Sequence, residues 1–316
     1  MIRFTRRPAG QPPRAFFIAL SLLLAGVAVG AARAETLSGT LAAQAVPAAF
    51  TSDRLSVEVI GQGPDVILIP GYASSREVWR AEAQRLSATH RVHMIQLAGF
   101  AGEPWSHGDG PFLQPALDEL ARYVREGGLN QPAVIGHSMG GLSGLMLAQQ
   151  HPDLIGRVMS VDSLPFFSAL YGPTATPDTA RPFADQAADM MLTADPDSFR
   201  AGQAAGAPGL ARDPATQAAM VEWSVASDRQ ALATAIREVM TTDVRPGLAL
   251  MTTPVWAVYA SDAEGGAPAA MADAMWAREW AGLPGLTLRR VDGSRHFIMA
   301  DQPAAFAEVV DAFLAE

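Results

Sequence analysis

Neither cysteine nor lysine occurs anywhere in the 316 residues. Without cysteine there is no disulfide, no thiolate nucleophile, no thiolate metal ligand and no lipid-modified N-terminal cysteine, so stability has to come from a packed core. Without lysine there is no amine for Schiff-base or general-base chemistry; all 23 cationic side chains are arginine, which stays charged. Histidine is scarce too, six in all, with no His-Glu-x-x-His pair and no cluster, so neither a metal nor a cofactor is expected. Acids outnumber bases by 32 to 23, for a formal charge of −9. An acidic surface repels a phosphate backbone, and a nucleic acid partner is excluded on that ground. Internal repeats are absent, and so are charged tails.

The N-terminus differs in kind from the rest. Arg3, Arg6, Arg7 and Arg14 precede the apolar run "AFFIALSLLLAGVAVGAA", which closes on Ala32-Arg33-Ala34. This pattern predicts a secretory signal over residues 1–34 with cleavage after Ala34, leaving a periplasmic or secreted protein with no stable membrane insertion. A retained anchor is the alternative, since the run approaches the length that spans a bilayer. The Arg6-Arg7 pair hints at twin-arginine export, although Pro8 and Ala9 follow it in place of apolar residues. Cleavage would remove five arginines and no acid, taking the formal charge from −9 to −14.

Residues 35–51 are rich in Ala, Thr and Ser and predict a linker. Beyond them short β-branched runs, "LSVEVI", "DVILI", "RVHMIQL", "PAVIG", "GRVMSVD", "VWAVYA" and "LTLRRVD", alternate with helical patterns at Ser75–Leu86, Pro111–Val124, Met139–Gln149, Pro268–Trp280 and Pro303–Leu314. Continuous apolar strands alternating with helices predict an α/β fold, a mostly parallel doubly wound sheet covered on both faces. The rhythm breaks once. Between Asp162 and Val255 there are helical patterns but no convincing strand, so the core is expected at 52–162 and 251–316 with a helical cap inserted at 163–250. The alternative is a set of peripheral helices with no role at the site.

Chemistry concentrates in "AVIGHSMGGL", Ala133 to Leu142. A buried strand meets a helix there with almost no intervening length, and Gly136 and Gly140 make so tight an elbow sterically possible. Ser138 at its apex is the candidate nucleophile, and the Met139 N–H at the start of the helix is a candidate oxyanion donor. The base should be His296, in the Gly/Ser loop "GSRHF" after the last strand. The acid must lie between Ser138 and His296 in the chain; Asp262 after "PVWAVYAS" is the first choice, Asp162 after "RVMSV" the second and Glu264 the third. Gly71 after "DVILIP" permits a sharp turn that would present the Tyr72 N–H, or failing it that of Ala73, as the second oxyanion donor.

With those pieces in order, residues 52–316 resemble the α/β-hydrolase fold superfamily, the elbow "GHSMGG" and the late "GSRHF" being the most specific matches. Two positions depart from the family pattern: Gln96 stands where an Asp-x-x-Gly-x-Gly acid is common, and Pro70 where a histidine often precedes the oxyanion glycine. The resemblance implies hydrolysis of a small-molecule ester, or of a thioester, lactone or amide, through an acyl-enzyme on Ser138, with His296, Asp262 and the Tyr72 and Met139 amides in their usual roles. Related triads also serve as haloperoxidases and acyltransferases, and a silent binding protein could keep the fold. Within the cap, Phe166, Phe167, Met190 and Met191 are the expected pocket side chains, and Asp185, Asp189, Asp195 and Asp197 could receive an amine in an aminopeptidase-like relative.

Overall fold

The computed structural model describes residues 50–316. The expected signal sequence and nearly all of the expected linker lie outside the described residues. The linker's last two residues are docked: Phe50 sets its ring edge-on to Tyr123 at 4.9 Å beneath the Arg122 guanidinium, which donates to the Thr51 carbonyl at 2.7 Å. Aromatic burial and a charged cover end the linker earlier than composition suggested.

Seven strands form one sheet: β1 (Leu55–Ile60), β2 (Asp65–Ile69), β3 (Arg91–Leu97), β4 (Ala133–His137), β5 (Arg157–Val161), β6 (Val255–Ser261) and β7 (Thr287–Asp292), in the spatial order β1-β3-β2-β4-β5-β6-β7. Only β1 runs antiparallel to its neighbour, which makes the sheet the mostly parallel, doubly wound one expected. Its inner strands are apolar on both sides, because helices cover both faces. One face carries α2 (Leu113–Glu126), α3 (Met139–Gln150) and α8 (Ala269–Glu279), and the other α1 (Arg80–Leu86), α9 (Ile298–Asp301) and α10 (Pro303–Leu314).

The chain turns back from β3 to place β4 on the far side of β2. Loops leaving the carboxyl ends of β2 and β4 therefore diverge from adjacent strands, with Ile69 level with Gly136. Such a switch point opens a crevice above the sheet.

Between β5 and β6 the chain leaves the sheet for four helices, α4 (Pro177–Thr193), α5 (Pro196–Leu210), α6 (Pro214–Ala226) and α7 (Arg229–Thr241). Each starts on a side-chain cap with proline or a good helix former behind it. Thr176, Asp195, Asp213 and Asp228 accept from the first-turn amides of α4, α5, α6 and α7 respectively, satisfying donors a helix start otherwise leaves unpaired. The two ends of this excursion meet: Phe166 bridges Asp243, and the Val244 N–H donates to the Pro165 carbonyl. No helix among the described residues is long and apolar enough to cross a membrane.

Candidate active site

Ser138 occupies the turn between β4 and α3 with φ 55° and ψ −121°, a strained conformation for a residue with a side chain. The turn is held by its own backbone. The Ser138 N–H donates to the Val161 carbonyl at 2.9 Å, and the Ser138 carbonyl accepts from Gly141 at 2.8 Å and Leu142 at 3.1 Å. A Cβ on Gly136 would fall 2.1 Å from the Gly140 carbonyl oxygen, and one on Gly140 2.3 Å from that of Ile69. Neither position admits a side chain, which is the steric reason for glycine on both sides of the serine.

His296 lines the same two cavities as Ser138. Its Nδ1 lies 2.7 Å from Asp162 Oδ2. A carboxylate only accepts, so Nδ1 carries the proton and Nε2 presents its lone pair. Asp162 is itself immobilised: it sits at φ 46° just past β5, its N–H donates to the Val258 carbonyl at 2.7 Å, and Oδ1 accepts from the Ala260 N–H at 3.0 Å.

The expectation that Asp262 orients His296 is corrected by this geometry. Asp262 is buried, with Oδ2 held by Arg295 at 2.8 Å and by Arg212 at 2.9 Å. Burial alone would raise its carboxyl, but the two guanidiniums outweigh it and hold the group below the usual range. Glu264, the third choice, pairs with Arg212 at 3.1 Å and is largely exposed. Both Asp162 and Asp262 stand just past the ends of neighbouring strands, and the arginines decide between them.

Loop 71–73 folds over the serine. A Cβ on Gly71 would lie 3.1 Å from Ser138 Cβ, Ala73 takes φ 54°, and Tyr72 lines the larger cavity with Ser138. The tyrosine side chain fixes the loop by donating to the Leu232 carbonyl at 3.0 Å and setting its ring edge-on to Phe100. Buried Gln96 adds a second tie. Its Oε1 accepts from the Arg76 N–H at 2.8 Å, and its amide nitrogen faces the carbonyls of Ser74, Leu97 and Phe100. Met139, the first residue of α3, completes the surround of Ser138.

His137 lies beneath the pair. Its ring is 4.4 Å from that of His296, Nε2 lies 2.9 Å from the His296 carbonyl, and Nδ1 has no hydrogen-bond partner among the described residues. Burial, with the neighbouring His296, pushes its basicity well below the ordinary histidine value.

Two cavities open from Ser138 and His296. The smaller, about 150 Å³, runs past Asp162 and Leu164 to Tyr171, Met275 and Trp276. The larger, about 380 Å³, lies beneath α4–α6 and reaches Met190, Met191, Phe199, Met220 and Trp223. Phe167, Leu210 and Val239 form the partition common to both. Of the four expected pocket side chains, Phe167, Met190 and Met191 line a cavity and Phe166 does not. Phe166 is fully buried under the Arg245 guanidinium, in the bridge that joins the ends of the excursion. Trp276 and Met275 were missed because they belong to a core helix, far in the chain from the cap.

Of the four acids that could receive an amine none lines a cavity; Asp197 is exposed, and the other three are otherwise engaged. Asp185 and Asp189 pair with Arg237, and Asp195 caps α5. Among the described residues no group of three or more His, Asp or Glu side chains is placed to hold a metal ion.

A model of the alpha/beta hydrolase family matches residues 66–309. The chain belongs to the alpha/beta hydrolase family. Among curated relatives, a pimeloyl-[acyl-carrier protein] methyl ester esterase of Vibrio cholerae is 30% identical over 204 residues, 64% of this chain and 77% of the relative. The protein of the same description from Aeromonas hydrophila is 35% identical over 116 residues, 36% of this chain and 44% of the relative. Among solved structures, the fold is shared with an enol-lactonase from Burkholderia xenovorans, at TM-score 0.68 and 20% identity over 83% of this chain and 96% of that one. A thermophilic esterase from Thermogutta terrifontis matches at the same score and identity, covering 83% and 93%. Within this hydrolase, the strained serine, the Asp162-bound histidine and the loop over the elbow come together where the sheet reverses.

Proposed function

We propose that this hydrolase cleaves uncharged carboxylic esters of small molecules through an acyl-enzyme on Ser138. Ser138 Oγ attacks the ester carbonyl while His296 Nε2 takes its proton, and the Tyr72 and Met139 N–H groups receive the oxyanion. Collapse expels the alcohol, which takes that proton from His296. A water then repeats the sequence and releases the acid. Asp162 keeps His296 in the required tautomer and stabilises the imidazolium. The observation that carries the reading is the elbow serine sharing two apolar cavities with a histidine whose Nδ1 is bonded to a carboxylate.

The cavities argue for the substrate class. Among the described residues the acidic and arginine side chains lining them are Asp162, Asp262 and Arg295, and each is already paired, Asp162 with His296 and Asp262 with Arg295 and Arg212. A charged substrate would find no free counter-ion and would bear the cost of desolvation. We assign the short arm of the ester to the smaller cavity and the longer arm to the larger, with Phe167 between them. Activity on methyl esters in the curated relatives and on lactones in a structural neighbour, as their descriptions state, agrees with acyl–oxygen cleavage. Export of the enzyme is proposed on residues 1–34 alone.

A panel of p-nitrophenyl esters from acetate to laurate, run beside aminoacyl anilides, tests the reading. Esters should be turned over and anilides left intact, and Ser138→Ala should lose about a thousandfold or more in kcat. Wild-type turnover by Ser138→Ala would refute the nucleophile, and preference for anilides would refute the bond class.

A further inference from the structure

Asp162 and His137 account for the ring and the carbonyl of His296, and the residues on either side of it are held in part by the cap. The Phe297 N–H donates to the Leu210 carbonyl at 3.1 Å. Arg295 sends its guanidinium to Asp262 and to the Pro208 carbonyl, and its N–H to Asp301 Oδ2 at 2.8 Å. Arg212, in the turn between α5 and α6, donates to the same Asp262 oxygen, while the Arg212 and Asp213 N–H groups meet Asp301 Oδ1 at 2.7 and 3.0 Å. Residues 208–213 are thereby bound to residues 295–301 at both flanks of the base.

Asp262 is the centre of this arrangement. It is 6% exposed, its backbone exchanges two hydrogen bonds with Ala267, and its Oδ1 accepts from the Glu264 N–H at 3.1 Å. Two guanidiniums converge on its other oxygen. Without the carboxylate they would repel each other, and the Arg212–Asp262–Arg295 link between the cap turn and the residue preceding His296 would be lost.

We propose that Asp262 is a positioning residue for His296, acting through Arg295 and Arg212 to lock the cap turn 208–213 onto the histidine loop. This rests on the reading of Ser138 and His296 as the reacting pair. The turn also faces the substrate: Gly209 and Leu210 line both cavities, as His296 does. The chain segment an ester would touch is the one that fixes the backbone of the base, so Asp262 links the seating of substrate to the placement of Nε2 over Ser138.

The test uses Asp262→Asn, Arg295→Met, their double variant and Arg212→Met, measuring kcat and KM on p-nitrophenyl butyrate, the rate at which a fluorophosphonate labels Ser138, and thermal unfolding. Asp262→Asn and Arg295→Met should each lower kcat by about tenfold with labelling slowed in parallel, and the double variant should be no worse than the poorer single, as for one coupled device. Arg212→Met spares the Asp262–Arg295 pair and alters a partly exposed side chain, so it should fold and lose about threefold in kcat with little change in KM. Wild-type kcat and labelling in Arg212→Met and Asp262→Asn would overturn the proposal, even with lowered melting temperatures. Multiplying losses in the double variant would overturn it too. A loss of about a thousandfold or more in Asp262→Asn would do so differently, by making Asp262 the acid of the triad. If Asp262→Asn fails to fold, the Arg212→Met result decides. An unlabelled wild-type Ser138 would instead bring down the serine reading itself, a result distinct from a labelled wild type with indifferent variants.

Discussion

His137, the residue before the elbow serine, donates from Nε2 to the carbonyl of His296 at 2.9 Å, tying the end of β4 beside Ser138 to the loop that carries His296. A carbonyl only accepts, so the His137 tautomer is fixed with its proton on Nε2. The separation of Ser138 from His296 is thus governed by one side chain as well as by the sheet. Replacement by alanine removes the donor and leaves a hole under the His296 ring. His137→Ala should lose about 2 kcal/mol of stability, read by urea unfolding, and lower kcat for every ester alike. His137→Gln, which can reach the same carbonyl, should recover part of both. Equal loss in the two variants would rule out the hydrogen bond as the cause.

The acid assignment gives a sharper outcome. Asp162→Asn should lower kcat by about a thousandfold or more, because the amide lets His296 take the wrong tautomer, while leaving the Ala260 N–H bonded and the melting temperature near wild type. Steady-state kinetics on p-nitrophenyl butyrate, with circular dichroism to verify folding, measures this. An Asp162→Asn enzyme within tenfold of wild type would remove Asp162 from the triad.

Phe166 and Phe167 separate core from cavity within one dipeptide. Phe166→Ala empties a fully buried site and should cost about 3–5 kcal/mol of stability without changing the order of preferred ester chain lengths. Phe167→Ala opens the partition between the cavities. It should shift that order by roughly 1–3 kcal/mol of relative kcat/KM at a melting temperature closer to wild type. The chain-length series and thermal unfolding of both variants distinguish them.

Acidification should weaken the fold before the carboxylates titrate. His93 is buried between Tyr123 and Asp65, and burial lowers its basicity despite the Asp65 carboxylate; His137 is lowered in the same direction. A histidine whose folded value is depressed gives its full stability above the unfolded value of about 6.5 and loses it as pH falls below, since only the unfolded chain binds the proton. The unfolding free energy from urea titration should therefore decline from pH 7.5 to pH 5.5, by at most about 1.4 kcal/mol per pH unit and per histidine, and the urea midpoint with it. His93→Gln should flatten the decline. A midpoint independent of pH over that range would refute the assignment.

Much of this was legible in the chain. All seven β-branched runs are strands, because each is long enough to cross the sheet; the inner ones are apolar enough to be buried on both sides, while β7 exposes Arg289, Arg290 and Asp292 at the edge. "GHSMGG" marked the elbow because Gly136 and Gly140 approach each other within the motif itself, although Gly140 also answers to Ile69 on the neighbouring strand. What stayed hidden depended on partners far along the chain. "RVMSVD" and "WAVYASD" end alike, and nothing local says that the second aspartate will meet Arg212 and Arg295, 50 and 33 residues distant. Phe166 and Phe167 are equally apolar, and a single bridge to Asp243 decides which of them turns inward.

The pairing of Phe166 with Asp243 closes the excursion at its stem, so the sheet meets what lies between only where the helices reach back to the core. A lineage could lengthen, shorten or trade those helices and keep its reaction while changing its diet. The latitude ends at the turn after α5, where Leu210 and Arg212 grip the His296 loop, and along α7, where Leu232 and Glu238 hold Tyr72 and the start of α2. Inherited variation in this enzyme is thereby steered: free over the outer surfaces of α4 to α7, and held to account at a handful of residues where a change of appetite would also be a change of rate.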